Sequence, residues 1–212
     1  MRWLKRGLRV LPSQSAYALW AQSYPAQAHN PLMALEEAAL RAFLPDLRGL
    51  DVLDVGCGSG RWLKLAQADG ARRALGIDSS AAMLRRAGPG TALATMTALP
   101  FPAASFDLLL CALAIGHLPD HQPALAEMAR LLRPDGLLLL SDFHSVQHWR
   151  GAQRTFRAAN GRVYAVEHYP RTVADFWQVG ERVGLRLCGL SEPALEVGGP
   201  PVVLVLAWQK QA

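Results

Sequence analysis

The stretch Asp54-Val55-Gly56-Cys57-Gly58-Ser59-Gly60 limits what this chain can fold into more than any other. It opens within a short β-rich run, Val52 to Val55, and precedes Arg61 to Ala68, where apolar residues recur at helical spacing. A strand must therefore turn directly into a helix through three glycines. Glycines at such a turn adopt backbone conformations closed to other residues and let a ligand come close to the main chain. The spacing is G-x-G-x-G, not the G-x-G-x-x-G of dinucleotide sites, and no Gly-Lys-Ser/Thr follows to hold phosphates. The loop thus favours a ligand without a pyrophosphate and disfavours a nicotinamide dehydrogenase.

Downstream the alternation of strand and helix continues, which predicts an α/β fold on a mostly parallel sheet. Leu75 to Ile77 is the second strand and Ser79 to Arg86 its helix; a third strand falls at Ala92 to Met96 and a fourth at Phe106 to Cys111. The fourth is apolar on both faces, as a strand covered by helices on each side should be. Gln122 to Leu132 reads as a helix stopped by Arg133-Pro134-Asp135-Gly136, a turn that launches a fifth strand at Leu137 to Ser141. Thr172, with Asp175 three residues on, caps a helix that runs to Val183. Leu185 to Leu190 and Val202 to Trp208 then form a terminal antiparallel pair and bring the sheet to seven strands. Residues 1–45 and 142–171 stand outside the alternation, and both are expected to cover the ligand end of the sheet, the first as a helical cap and the second as a lid. A length of 212 residues with 51% hydrophobic and 18% charged content suits one domain spanning 1–212.

The formal charge of +5 raises the question of nucleic acid, but the arginines are scattered and build no dense basic tract, which favours a solvated surface over a DNA or RNA footprint. Cys57, Cys111 and Cys188 are widely spaced and odd in number, so they outline neither a disulfide framework nor a zinc site. The basic opening Met1 to Arg9 lacks the apolar run of a signal peptide, and no segment is long and apolar enough to span a membrane. A cytoplasmic location is the expectation; the oligomeric state is open.

Gly76-Ile77-Asp78 ends the second strand with an acid at the carboxyl edge of the sheet, beside the glycine loop. There a carboxylate can accept both hydroxyls of a ribose, or it can cap the helix that opens at Ser79; its place next to the loop favours the ribose. The succession Val52-Leu53-Asp54-Val55-Gly56-Cys57-Gly58-Ser59-Gly60, Gly76-Ile77-Asp78-Ser79-Ser80 with Met83-Leu84, Leu99-Pro100-Phe101-Pro102 with Ser105-Phe106-Asp107, His117-Leu118 and Leu132-Arg133-Pro134-Asp135-Gly136 resembles the motifs of class I methyltransferases of the type 11 group, in order from about residue 50 to 142.

That resemblance implies a Rossmann-like fold with helices on both faces of the sheet. It also implies S-adenosyl-L-methionine as cofactor, S-adenosyl-L-homocysteine as product and a small-molecule acceptor methylated on O, N or C. By the same resemblance Asp54 and the backbone of Gly56, Cys57 and Gly58 hold the methionine portion, Asp78 with Ser79 the ribose, and Met83 the apolar face near the adenosine. Cys111 and Ala112 approach the sulfonium. Relatives often read adenine with an Asp-Ala pair where this chain has Thr95-Met96, so adenine is expected to rest on Met96 through stacking and backbone hydrogen bonds. Tyr24, and with it Tyr17, either encloses the methionine end or joins Trp20 in an apolar stripe facing the core.

Methyl transfer needs alignment, exclusion of water and, for some acceptors, one base. The histidines His29, His117, His144, His148 and His168 gather in segments over one end of the sheet, with Tyr169 beside the last. His144 is the first candidate base and His117 the second. Trp149, Phe156 and Tyr164 can line the lid or pack it onto the domain. No Asn/Asp-Pro-Pro-aromatic or Pro-Cys sequence follows the fourth strand, which argues against base amino-methylation and cytosine C5 chemistry, and Asp142 alone is a poor magnesium site. A non-catalytic adenosyl-binding regulatory module and an RNA methyltransferase stand as the alternative readings.

Overall fold

The computed structural model describes residues 8–25 and 27–211, so the basic opening, apart from Leu8 and Arg9, lies outside the described residues. In chain order the elements are β1 (Val10–Leu11), α1 (Ser13–Trp20), α2 (Pro31–Arg41), β2 (Asp51–Val55), α3 (Arg61–Ala68), β3 (Arg73–Asp78), α4 (Ala81–Ala87), β4 (Thr91–Leu93) and β5 (Phe106–Ala112). A 3-10 turn at Ile115–His117 leads to α5 (Gln122–Leu131), β6 (Leu132–Phe143), α6 (Ser145–Trp149), β7 (Thr155–Arg157), β8 (Val163–Val166), α7 (Val173–Arg182), β9 (Leu185–Ser191) and β10 (Val203–Lys210).

Seven strands form one sheet in the order β4-β3-β2-β5-β6-β10-β9, parallel except for β10, which runs antiparallel to both neighbours. The apolar alternation along each strand divides between two layers. Leu53, Val55, Leu109, Cys111, Leu138 and Leu140 pack with α5 and α7 through Leu125, Met128, Phe176 and Val179. On the other face Val52, Leu108, Leu110 and Leu139 pack with α2 and α3 through Leu40, Trp62 and Ala66. This is the Rossmann-like arrangement, and the strand order reverses between β2 and β5, where such sheets open a crevice at their carboxyl ends.

Several boundaries shift by one or two residues from the sequence expectation, and two differ in kind. Arg133 to Gly136 does not stop before a strand: the chain stays extended from Leu132, because Phe106 of β5 already pairs with Leu132, and the register shifts before Leu108 meets Leu137. The local irregularity is absorbed at Asp135, with φ of 62°. The third strand ends at Leu93, leaving Ala94, Thr95 and Met96 as a loop at the strand tip.

The segments outside the alternation come together. β1 pairs in parallel with β8, and β8 in antiparallel with β7, making a separate three-stranded sheet from chain positions more than a hundred residues apart. Its small core holds Leu11, Ala16, Phe156, Ala158 and Val166, with Tyr17, Trp20 and Tyr164 against it. Trp20 stacks on Phe156 at 4.9 Å and Phe156 on Tyr164 at 5.7 Å. Phe156 and Tyr164 therefore pack this layer together, whereas Trp149 is exposed. Of the segment from 142 onward, Asp142 and Phe143 belong to β6 and the remainder to this layer and its links.

Candidate functional site

The glycine loop opens at the carboxyl end of β2, and the N–H groups of Gly56 and Cys57 donate to the Ile77 carbonyl at 2.8 and 2.9 Å, fastening it to the tip of β3. Gly56 has φ of 75°, and a Cβ there would stand 2.6 Å from the Ala114 Cβ, so a side chain is excluded by both conformation and space. The N–H of Gly58 donates to Asp78 Oδ2 at 2.8 Å and that of Ser80 to Asp78 Oδ1 at 2.7 Å. Asp78 is thus held by the loop itself. It does not cap α4; that cap is Ser80, whose side chain accepts from Met83 N–H.

Two cavities meet along this edge and share Tyr17, Gly56, Asp78, Ala114 and His117 as walls. The narrower, about 70 Å³, is lined by Tyr24, Asp54, Cys57, Gly58, Arg61, Met83, Ala112 and Leu113 among others. The wider, about 360 Å³, is lined by Ile77, Ser79, Ala94, Thr95, Met96, Thr97 and the α1 residues Ser13 and Gln14. Of the residues expected at a cofactor site, Tyr24, Asp54, Gly56, Cys57, Gly58, Asp78, Ser79, Met83, Thr95, Met96 and Ala112 therefore line one cleft.

The chemistry of the walls restricts the ligand. Asp54 is buried, gives one oxygen to the N–H of Leu63 at 3.1 Å, and has its carboxyl pushed up to about 7 by desolvation. A buried acceptor of this kind calls for a cationic donor, which would restore its charge. Arg61, at the same end, donates to Glu36 Oε2 at 2.6 Å and to Glu37 Oε2 at 3.1 Å, and Glu36 also accepts from Ser141 Oγ at 2.7 Å. Burial pushes the Glu36 carboxyl up, against the pull of Arg61. Asp78, with each oxygen taking one backbone N–H, keeps lone pairs for a diol, and Ile77, Met83 and Met96 supply apolar walls. An amino acid joined to a nucleoside fits this order of groups.

Two expected residues lie elsewhere. Cys111 is fully buried among Leu109, Leu140 and Ile115, because alternation along β5 turns it into the core; Ala112, Leu113 and Ala114 take the cavity wall in its place. His144 is not brought to the cleft either. The chain stays paired through Phe143 with Val203, and His144 then donates its N–H to the Val202 carbonyl at 3.1 Å, leaving the sheet on the β10 side. There its Nδ1 caps α6 through Val146 N–H, and its Nε2 meets Glu192 Oε1 at 2.9 Å.

His117 does reach the cleft. Its Nδ1 lies 2.7 Å from the Glu167 carbonyl, an acceptor only, so Nδ1 carries the proton and the Nε2 lone pair faces Tyr17 Oη at 2.9 Å and Arg154 Nη1 at 3.2 Å. Burial, and then the Arg154 charge, lower the His117 pKa to about 3. Behind it His168 Nε2 pairs with Asp142 Oδ1 at 3.0 Å, packed so closely on Gly116 that a Cβ there would lie 2.2 Å from that nitrogen. His148 lines a neighbouring cavity, and His29 stands by Tyr24 and Trp20 with ring centroids 5.9 and 6.2 Å away. Sequence reasoning did not find Arg61, Glu36, Leu113 or Arg154, whose proximity comes from packing between distant segments.

A family model described as a methyltransferase domain matches residues 53–140. The malonyl-[acyl-carrier protein] O-methyltransferase of Enterobacter lignolyticus is 31% identical over 172 residues, which cover 79% of this chain and 68% of that protein. The trans-aconitate 2-methyltransferase of Deinococcus radiodurans is 39% identical over 107 residues, 47% of this chain and 40% of that protein. A crystal structure of an S-adenosylmethionine-dependent methyltransferase from Mesorhizobium loti is similar with a TM-score of 0.72 and 25% identity, covering 85% of this chain and all of that one.

Proposed function

This chain belongs to the class I S-adenosylmethionine-dependent methyltransferases, and from that premise we propose that it transfers a methyl group to a small-molecule acceptor within one domain, beneath a cover made of the β1, α1, β7 and β8 layer. Its cofactor, S-adenosyl-L-methionine, supplies an activated methyl group on a sulfonium.

In this reading Asp54 accepts the methionine ammonium, Arg61 faces the carboxylate, and Asp78, with Ser79 beside it, accepts the ribose hydroxyls. Met83 and Ile77 flank the nucleoside, and Met96 and Thr95 border the adenine end of the wider cavity. Tyr17 and Tyr24 close the methionine end from above and exclude water. The His117 lone pair is already shared by Tyr17 and Arg154, so His117 holds the Tyr17 hydroxyl and takes no proton from the acceptor. His144 serves as a helix cap.

The observation that carries this reading is the single cleft that joins Asp54 and Asp78 to the aromatic underside of the cover. That the relatives are named for malonyl-[acyl-carrier protein] and trans-aconitate supports a metabolic acceptor over a nucleic acid. Calorimetry with S-adenosyl-L-methionine, S-adenosyl-L-homocysteine and NAD tests the first half: the two adenosyl ligands are expected to bind and NAD not to. Turnover of labelled cofactor with a panel of small acids, phenols and amines tests the second, and cofactor binding with no transfer to any of them would reduce the protein to a binding module.

A further inference from the structure

Arg154 holds a guanidinium behind the Tyr17, Leu113 and His117 wall of the cofactor cleft, without an acidic partner among the described residues. Its Nη1 donates to the Leu113 carbonyl at 2.8 Å and to His117 Nε2 at 3.2 Å, and its Nη2 to Tyr17 Oη at 3.4 Å. All three acceptors are neutral, and all three residues line the cleft. Among the described residues no carboxylate lies within ion-pair distance of Arg154; Asp142, the buried acid of this region, takes His168 and the Phe143 N–H on its Oδ1. The side edge of the guanidinium, with Nε–H and the second Nη2–H, makes no hydrogen bond to the described residues, and that edge is the one that grips a carboxylate with two parallel bonds. Arg154 itself lines a separate cavity of about 200 Å³ with Val10, Phe143, His148, Val166 and His168, which is room for a small organic skeleton.

We propose, building on the methyltransferase reading above, that Arg154 is the acceptor-binding cation of this site and that the acceptor is a carboxylic acid, methylated on oxygen. A half-buried arginine supported only by neutral groups is costly until an anion arrives, and a bound cationic cofactor adds to that cost. In the step itself one carboxylate oxygen forms a C–O bond to the methyl carbon while the S–C bond breaks, its electron pair passing to sulfur. No proton leaves the acceptor, so no base is needed. This agrees with a cleft whose histidine, His117, has its free lone pair engaged by Tyr17 and Arg154. The product ester is neutral and loses the charge that Arg154 held, which favours its release.

The test takes the full chain with S-adenosyl-L-homocysteine bound and titrates it with succinate and benzoate, and with succinamide and benzamide as neutral matches, in wild type, Arg154→Gln and Arg154→Lys. In parallel, wild type and variants are given labelled cofactor and the acid, phenol and amine panel. The carboxylates are expected to bind wild type and their amides not, and Arg154→Gln is expected to lose about 100-fold in carboxylate affinity, the scale of removing one partner of a charge pair. Homocysteine-ligand affinity stays within about threefold and reports that each variant is folded. Arg154→Lys retains part of the binding. Label should appear in alkali-labile esters. Amides binding as well as acids, carboxylate binding that survives in Arg154→Gln, or label carried only into alkali-stable phenol or amine products would overturn the proposal while leaving the methyltransferase reading in place. Failure of the adenosyl ligands to bind would instead remove that reading.

Discussion

Asp54 and Asp78 sit at the tips of adjacent strands and differ in what surrounds them. Burial pushes the Asp78 carboxyl up, and two backbone N–H groups from Gly58 and Ser80 oppose that rise; Asp54 takes one and is fully enclosed. Replacing Asp78 by Ala should weaken cofactor binding by about 1.5–3 kcal/mol, the scale of hydrogen bonds to a charged group, as calorimetry will read. For Asp54 the carboxyl stands at about 7, above its ordinary value of 3.8. Between these values the folded free protein holds a proton that the unfolded chain has lost, so this group's contribution to stability falls as pH rises through that window. Cofactor binding runs the other way, since an ammonium partner requires the ionised form. Affinity should drop by up to about tenfold per pH unit below 7 and level off above it, and Asp54→Asn should flatten the profile. Both acids were legible in the sequence because each lies next to a glycine turn or a strand end. Arg154 was not: its meaning comes from Leu113, Tyr17 and His117, which only the fold brings to it. His144 misled for a related reason. Position after a strand fixes height above the sheet, and the side to which the ring turns is set by β10 pairing, which no local pattern encodes.

Among the elements, the main strands and helices follow from periodicity, and α7 begins with the capping box that Thr172 and Asp175 announce. The cover does not follow. β1 is two residues long and β7 three, too short for a period, and neither is stable without the partner that distant chain supplies. Its cohesion rests on Trp20, Phe156 and Tyr164 stacked in series. Phe156→Ala should cost about 3–5 kcal/mol locally. Amide exchange would then rise in β1, β7 and β8 and stay slow in the seven-stranded sheet, with weaker cofactor binding. A uniform fall in melting temperature with no local exposure would show that the cover and sheet unfold together.

For the molecule as a whole, charge and ligand hold opposite ends of the sheet. At the amino end of β2, Asp51 receives Arg72 at 2.7 Å and Arg133 at 2.8 Å, and the Arg72 hydrogen bond above all keeps its carboxyl below the usual range. This contribution is complete above about pH 4 and is lost as pH falls further. Asp51→Asn should therefore lower stability at neutral pH by about 1–3 kcal/mol, measured by denaturant unfolding, with no change in cofactor affinity. At the carboxyl end Arg61 joins α3 to Glu36 and Glu37 of α2 on one side of the cleft. The cover is closed by the parallel seam of β1 on β8, Val10 with Ala165 and Leu11 with Val166. That seam has a consequence for recombination. Acceptor choice cannot be transplanted by exchanging the 144–171 segment alone, since the incoming hairpin would meet a first strand and a Trp20 shaped for another partner. Chimeras that carry residues 8–24 and 144–171 from the same parent should keep turnover where single-segment swaps lose it, and the two segments would be inherited as a pair.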